Sequence, residues 1–407
     1  MVRIFLILIF LKFSFYLYSE DWSQFRGPTG QGLVINGNDL PTKWSRNDGV
    51  KWQLEIEGQA WSSPICVNGE VFLSNAILNN GRLKLGLISI DFKSGEIKWS
   101  KNLFSYENQP RIHRKNSYAS PTPFYDGQRI FVHYGNMGTA CVDLNGSVLW
   151  KQKLEYSPVH GSGASPVVHD ELLLLSADGA DNPSLYALDK RNGSVKWNAI
   201  RESNAKKKFS FCTPIIIKEA GEARIISPAS DYVFAYDTSG KQVWKFSYPG
   251  GYSVVPRPVY NDGIIYVSSG YDSPTLYAIK SDGEGDVTTK NLVWKTNKSV
   301  PRNSSIVVFD DLLFMAADNG VVTCLDAKDG HQQWIERVGS SCSSSLLIAD
   351  GRIFLCDETG KTYVFQAKKE YKLLATNDLK ERMLASPVPY MNSLLLRTEK
   401  GLWRISN

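Results

Sequence analysis

Three of the five histidines, His113, His133 and His160, fall in irregular stretches of sequence that also carry Arg111, Lys115, Asn116, Tyr252, Arg257, Tyr271 and Arg302. Arginine and lysine donors pair with carboxylate or sulfate oxygens, and tyrosine faces stack on sugar rings, so this set suits a polar or anionic ligand. The histidines have no metal-ligand spacing, which leaves hydrogen bonding or general-base work and calls for no metal. Asp178, close to Asp181, and Asp272 are the carboxylates available for acid–base chemistry. Set beside Gly, Asn and Pro, they fit turn chemistry better. Arg257 is the sharpest single candidate, because it stands at the innermost strand of a repeat, near the central axis, at a slot where other copies carry a small hydroxyl. The run from Lys206 to Lys208 reads as a solvated loop tip.

What must position these residues is a hairpin that recurs along the chain. It reads LYALDKRNGSVKW over residues 185–197, LISIDFKSGEIKW over 87–99, ACVDLNGSVLW over 140–150, VFAYDTSGKQVW over 233–244 and VTCLDAKDGHQQW over 322–334. A looser copy runs from Leu276 to Trp294. Each is an alternating strand, a Gly-bearing turn and a second strand that closes on Trp. A unit of several strands repeated about every 40 to 51 residues predicts a β-propeller.

The first strand of each unit opens on a hydroxyl before proline, at Ser63, Ser120, Ser165, Thr213 and Ser386. Arg257 replaces the hydroxyl in one unit, and Ser304-Ser305 and Ser344-Ser345 lack the proline. Near the start, GVKWQLEI over residues 49–56 matches only the last strand of a unit, and the C-terminal unit is one strand short. Joining the two gives eight four-stranded blades over residues 49–407, with the ring closed by both chain ends in one sheet, which hides edge strands. The closing tryptophans, Trp52, Trp99, Trp150, Trp197, Trp244, Trp294 and Trp334, read as packing between blades, and the seventh blade has Leu374 instead. Short, generic turns fall on one face of the ring. The irregular segments fall on the other, where function is expected.

Residues 1–19 have Arg3, an apolar run and a break at Lys12, the pattern of a secretory leader too short and blemished to span a membrane. Its removal takes away Arg3 and Lys12 and no acid, changing the formal charge from +5 to +3. That mild charge calls for no nucleic-acid partner, and it makes the irregular face, rich in Arg and Lys, locally positive. The protein is expected outside the cytoplasm, periplasmic or extracellular and at most peripheral to a membrane. Residues 20–48, with the segment DWSQFRGPTGQG, form an N-terminal extension outside the repeat. The six cysteines read as small core residues, with Cys342–Cys356 the best candidate for a disulfide.

The pattern SP…DG.IYV…LYALD…GxxxW resembles the pyrroloquinoline-quinone-type propeller repeat. That repeat is shared by quinoprotein dehydrogenases and by the propeller lipoprotein of the outer-membrane BAM complex. Stretches such as HRKNSYASPTP, SPVHGSG and GGYSVVPRP are similar to exported propellers of planctomycete-type bacteria. For the dehydrogenases the resemblance implies quinone and calcium held near two adjacent cysteines, but this sequence has no Cys-Cys pair, no CxxCH and no clear Glu–Asn–Asp set. For the lipoprotein it implies a lipid-bearing cysteine after the leader, and none follows here. The expected function is therefore a binding or scaffold module for a polar or anionic saccharide or an envelope protein. The enzyme alternatives are a quinone-dependent dehydrogenase of alcohols or sugars and, more weakly, a glycan-acting enzyme.

Overall fold

The computed structural model describes residues 21–34, 39–219 and 221–407, so the leader read over residues 1–19 lies outside it. The alternating strands pair as antiparallel meanders in eight sheets. Blades 1 to 7 cover residues 65–106, 124–152, 167–200, 215–247, 259–296, 307–337 and 347–378. Blade 8 joins Val388–Tyr390, Ser393–Arg397 and Gly401–Ser406 to Val50–Glu55, with Trp52 opposite Arg404 and Leu54 opposite Leu402. The ring is an eight-bladed β-propeller closed by the two ends of the chain.

Each closing tryptophan docks on the next blade. The indole N–H of Trp52 donates to Phe92 O at 2.9 Å, and those of Trp99, Trp150, Trp197, Trp244, Trp294 and Trp334 donate in turn to Leu144, Lys190, Thr238, Ser281, Ala327 and Lys368. Each bond contributes about 1 kcal/mol net. The rings of Trp52, Trp99, Trp150, Trp197 and Trp294 lie on the turn glycine of the neighbour: a Cβ on Gly193 would sit 2.6 Å from Trp150, and one on Gly240 2.7 Å from Trp197. That contact explains why the repeat keeps glycine and tryptophan together. In blade 7 the residue in the tryptophan slot is Ala375, opposite Val364, and not Leu374 as the sequence reads, because the bulge shifts the register by one; the series breaks there for a topological reason. In blade 8 the third and fourth strands come from opposite ends of the chain, so no hairpin turn is there to receive an indole. The looser fifth copy also has a cause, since its long turn lays Gly285–Asp286 parallel to Gln242–Ser247 of blade 4 and covers Trp244.

The hydroxyl before the first strand closes a girdle around the axis. The backbone N–H of Ser63 donates to Thr122 Oγ1, Thr122 to Ser165 Oγ and Ser165 to Thr213 Oγ1. After a gap at blade 5, Arg257 N–H donates to Ser305 Oγ, Ser305 to Ser345, Ser345 to Ser386, and Ser386 back to Ser63. In blade 2 the member is Thr122 of Thr122-Pro123, not Ser120, because ASPTPF contains two hydroxyl-Pro pairs and only the second abuts the strand at Phe124.

The N-terminal extension lies outside the repeat but inside the ring. Trp22 pairs with Cys66 of blade 1, Ser23 O accepts from Tyr125 N–H of blade 2, Gln31 Oε1 accepts from Tyr260 N–H of blade 5, and Leu33 bridges to Ile348 of blade 7. The segment thus crosses the axis and fills the channel. Farther on, Leu40 and Trp44 pack into the core of blades 7 and 8. All six cysteines are free and buried, Cys342 and Cys356 included, and that correction follows from separate partners: Cys342 Sγ faces Ser340 O and Cys356 Sγ faces Thr362 Oγ1.

Candidate functional site

On the face that carries the links between blades, the ring opens into a funnel of about 770 Å³. It narrows onto the hydroxyl girdle, and Phe25 from the channel segment reaches its bottom. One wall is an arc of rings contributed by successive links. His113 meets His160 with ring centroids 5.4 Å apart, His160 meets Phe209 at 5.2 Å, Phe209 meets Tyr252 at 5.6 Å and Tyr252 meets Tyr271 at 6.1 Å, mostly edge to face. Arg302 covers the far end, 5.0 Å from the Tyr271 ring.

The arc is held by short polar contacts. Asn116 Nδ2 donates to the carbonyls of His160 and Ser162, while its Oδ1 accepts from Ser117 N–H and the Ser120 hydroxyl, so it fixes the loop that carries His113. The Tyr252 hydroxyl donates to Asp272 Oδ2 at 2.7 Å and accepts from Lys207 Nζ at 2.7 Å. Those two neighbours hold the Asp272 carboxyl below its usual range. Burial, with His113 beside it, lowers the affinity of His160 for a proton.

The rim is less positive than the expected basic face. Lys115 forms a 2.7 Å ion pair with Glu358 of blade 7, to which Arg382 also turns, and Lys207 lies 3.6 Å from Asp272. Arg302 and Asn303 donate from their backbones to Asp318. Asp272 and two acids from turns that carried no signal of their own, Glu358 and Asp318, thus offset part of the basic charge, and what the funnel mainly offers is ring faces, hydroxyls and amides.

The funnel brings together His113, Lys115, Asn116, His160, Tyr252, Tyr271 and Arg302, with Asp272 bound to Tyr252. Arg111 is exposed outside the lining. Three candidates go elsewhere. His133 is 1% exposed within blade 2, its Nδ1 2.8 Å from Thr139 Oγ1, and burial pulls its pKa down to about 4. Asp178 is buried against Arg201, whose Nε donates to Oδ1 at 2.6 Å, and burial pushes its carboxyl up to about 6 against the pull of that guanidinium. Arg257 is 3% exposed and its guanidinium serves Phe25 O, Gln24 Oε1 and Pro214 O, so it clasps the channel segment. The residues missed are Phe209, Phe211 and Trp61. The signal for the two phenylalanines was the alternation FSF, which turns both rings to one side just before a first strand; Trp61 had none.

The sequence model described as outer membrane protein assembly factor BamB matches residues 112–228 and 284–401, more than half of the chain. The chain belongs to the BamB family. BamB of Yersinia pestis is 23% identical over 252 residues, 55% of this chain and 56% of that protein. BamB of Escherichia coli (strain K12) is 30% identical over 95 residues, 23% of this chain and 24% of that protein. The match therefore spans about half or less of these two relatives, though it reaches 83% of the BamB of Moranella endobia at 22% identity. Among solved structures, BamB from Moraxella catarrhalis superposes with a TM-score of 0.60 over 88% of this chain and 98% of that chain, at 13% identity. A quinohemoprotein alcohol dehydrogenase from Comamonas testosteroni superposes with a TM-score of 0.68 over 94% and 77%, at 11% identity. At those identities the likeness is one of fold, shared by the BamB and dehydrogenase propellers alike. The six cysteines are free and buried, and among the described residues no group of three or more His, Cys, Asp or Glu converges to hold a metal. Nor, among the described residues, is any helix long and apolar enough to cross a membrane.

Proposed function

We propose that this member of the BamB family is exported and serves outer-membrane protein assembly as a docking module, with the funnel receiving a segment of an envelope protein. The name of its relatives supports the process, and the leader pattern in residues 1–19 supports the compartment. The observation that carries the site is the arc from His113 to Tyr271. Rings from successive links line one wall of an open funnel, on a rigid ring of blades, and aromatic side chains dominate the energetics of protein interfaces. Because Lys115, Arg382 and Lys207 are already paired with acids, the contact is made chiefly by ring faces and hydrogen bonds rather than by net charge. The test is a photo-crosslinking amino acid placed at Tyr271, 46% exposed in the funnel, or at Leu149, 50% exposed on an outer strand. An adduct with an envelope protein from position 271 and none from 149 is expected. Adducts from 149 alone, or from neither, would move the docking surface off the funnel.

A polar saccharide is the second reading, favoured by the exposed Tyr271 face beside the Asn303 and Ser343 side chains at the funnel wall. Calorimetric titration with neutral and anionic oligosaccharides checks it, and heat that disappears in Tyr271→Ala is the result it requires.

A further inference from the structure

The segment QFRGPTGQG, which the funnel does not use beyond Phe25, carries two charges into the channel. Arg26 and Arg257 are each 3% exposed. They are neighbours: Arg257 Nη1 donates to the carbonyl of Phe25, the residue before Arg26, and the charge on Arg257 weakens proton binding at Arg26. The loop is folded around them. Gly27, Gly30 and Gly32 all take positive φ, and a Cβ on Gly30 would fall 2.5 Å from Arg257 Nη1, one on Gly32 2.9 Å from Arg26 Nη2.

Their partners are neutral. Arg26 Nη2 donates to Gln31 O and Ile306 O, and Arg257 donates to Pro214 O, Phe25 O and Gln24 Oε1. Among the described residues no carboxylate lies within ion-pair distance of either guanidinium. Of the other fully buried arginines, Arg201 has its carboxylate in Asp178, and Arg397 is a single charge held by Ser62 and Ser74 oxygens with no donor left unmet. Moreover, Nε and Nη1 of Arg26 are buried with no acceptor. Two like charges out of water, close together and with two donors unmet, are strongly unfavourable unless a negative charge joins them. Burial lowers both pKa values, to about 9 and about 10, which leaves both groups charged at neutral pH.

We propose that Arg26 and Arg257 form a binding site for a small inorganic anion of the size of chloride inside the propeller channel, and that this anion locks the N-terminal segment across the ring. The loop's approach to both guanidiniums, 2.5 Å at Gly30 and 2.9 Å at Gly32 for an added Cβ, favours a small monovalent ion over sulfate or phosphate. The site stands apart from the funnel and does not depend on the docking reading.

Two measurements on the purified chain test it. Crystals transferred to bromide should show an anomalous peak within hydrogen-bond distance of Arg26 Nε or Nη1. In solution, thermal unfolding at constant ionic strength should move up by roughly 3 °C when gluconate is replaced by chloride at about a hundred times its dissociation constant. Arg26→Met should lose that shift. If this variant does not fold, the bromide map of the unaltered chain still decides. Bromide found only on surface lysines, or identical melting in chloride and gluconate, would overturn the proposal.

Discussion

His133 refuses a proton in the fold because its ring is sealed in blade 2, with the Thr139 hydroxyl on one nitrogen and nothing on the other. Its folded pKa of about 4 lies below the ordinary 6.5, so the unfolded chain takes up the proton first. Stability is therefore expected to fall as pH drops from about 6.5 to about 4, by about 3 kcal/mol at the lower end. Urea denaturation at pH 7 and pH 4.5 should show that His133→Gln flattens this loss. Asp178 works in the opposite sense: its folded value, about 6, is above the usual 3.8, so its contribution declines as pH rises through that window. Asp178→Asn alone should accordingly steepen the acid loss. Arg257 makes a second case of a side chain whose role is set by its neighbours. Arg257→Ser restores the hydroxyl found in the other seven blades and removes the clasp on Phe25 and Gln24. The ring should stay folded while limited proteolysis begins to cut within residues 21–34.

At the scale of the element, the unit that holds the ring together is the pair of turn glycine and preceding tryptophan, not the strand alone. Gly240 has φ +88° with the Trp197 ring against it, whereas Gly263 has φ +76° and open space around its would-be Cβ. Gly263→Ala should cost about 1 kcal/mol, the price of a left-handed residue. Gly240→Ala must in addition push the indole off its carbonyl, for about 2 kcal/mol more. Chemical denaturation of the two variants gives the difference directly, and equal losses would show that docking of the indole contributes nothing. The links between blades follow another logic. Asn116 uses both its amide and its carbonyl to hold one loop, so Asn116→Ala should disturb the His113 end of the arc and leave the blades intact.

For the whole molecule, closure makes the two chain ends interdependent. Gly401–Ser406 lies between Ser393–Arg397 and Val50–Glu55, so deleting residues 401–407 breaks two pairings and exposes the core of blade 8. Such a chain should lose cooperative unfolding altogether and elute as an expanded species, far more damage than a comparable trim of an outer strand. The same closed ring makes the funnel rigid. Lys115, in the link between blades 1 and 2, reaches Glu358 of blade 7, and that contact exists only because the ring closes through blade 8.

The eight blades, the composite closure and the packing role of the tryptophans were legible in the sequence, because period-two strands, turn glycines and a fixed closing residue are local signals repeated many times. Most of the funnel's polar residues were legible too, since irregular links between regular strands stand out. What the tertiary structure alone decided is where each charge goes. A histidine, an aspartate and an arginine from irregular stretches turn inward to Thr139, Arg201 and Phe25. Acids from ordinary turns come round to offset part of the rim's charge. The course of residues 21–34 through the channel is likewise invisible in one dimension, because its partners at Cys66, Tyr260 and Ile348 are far apart in the chain and meet only where the ring has an axis.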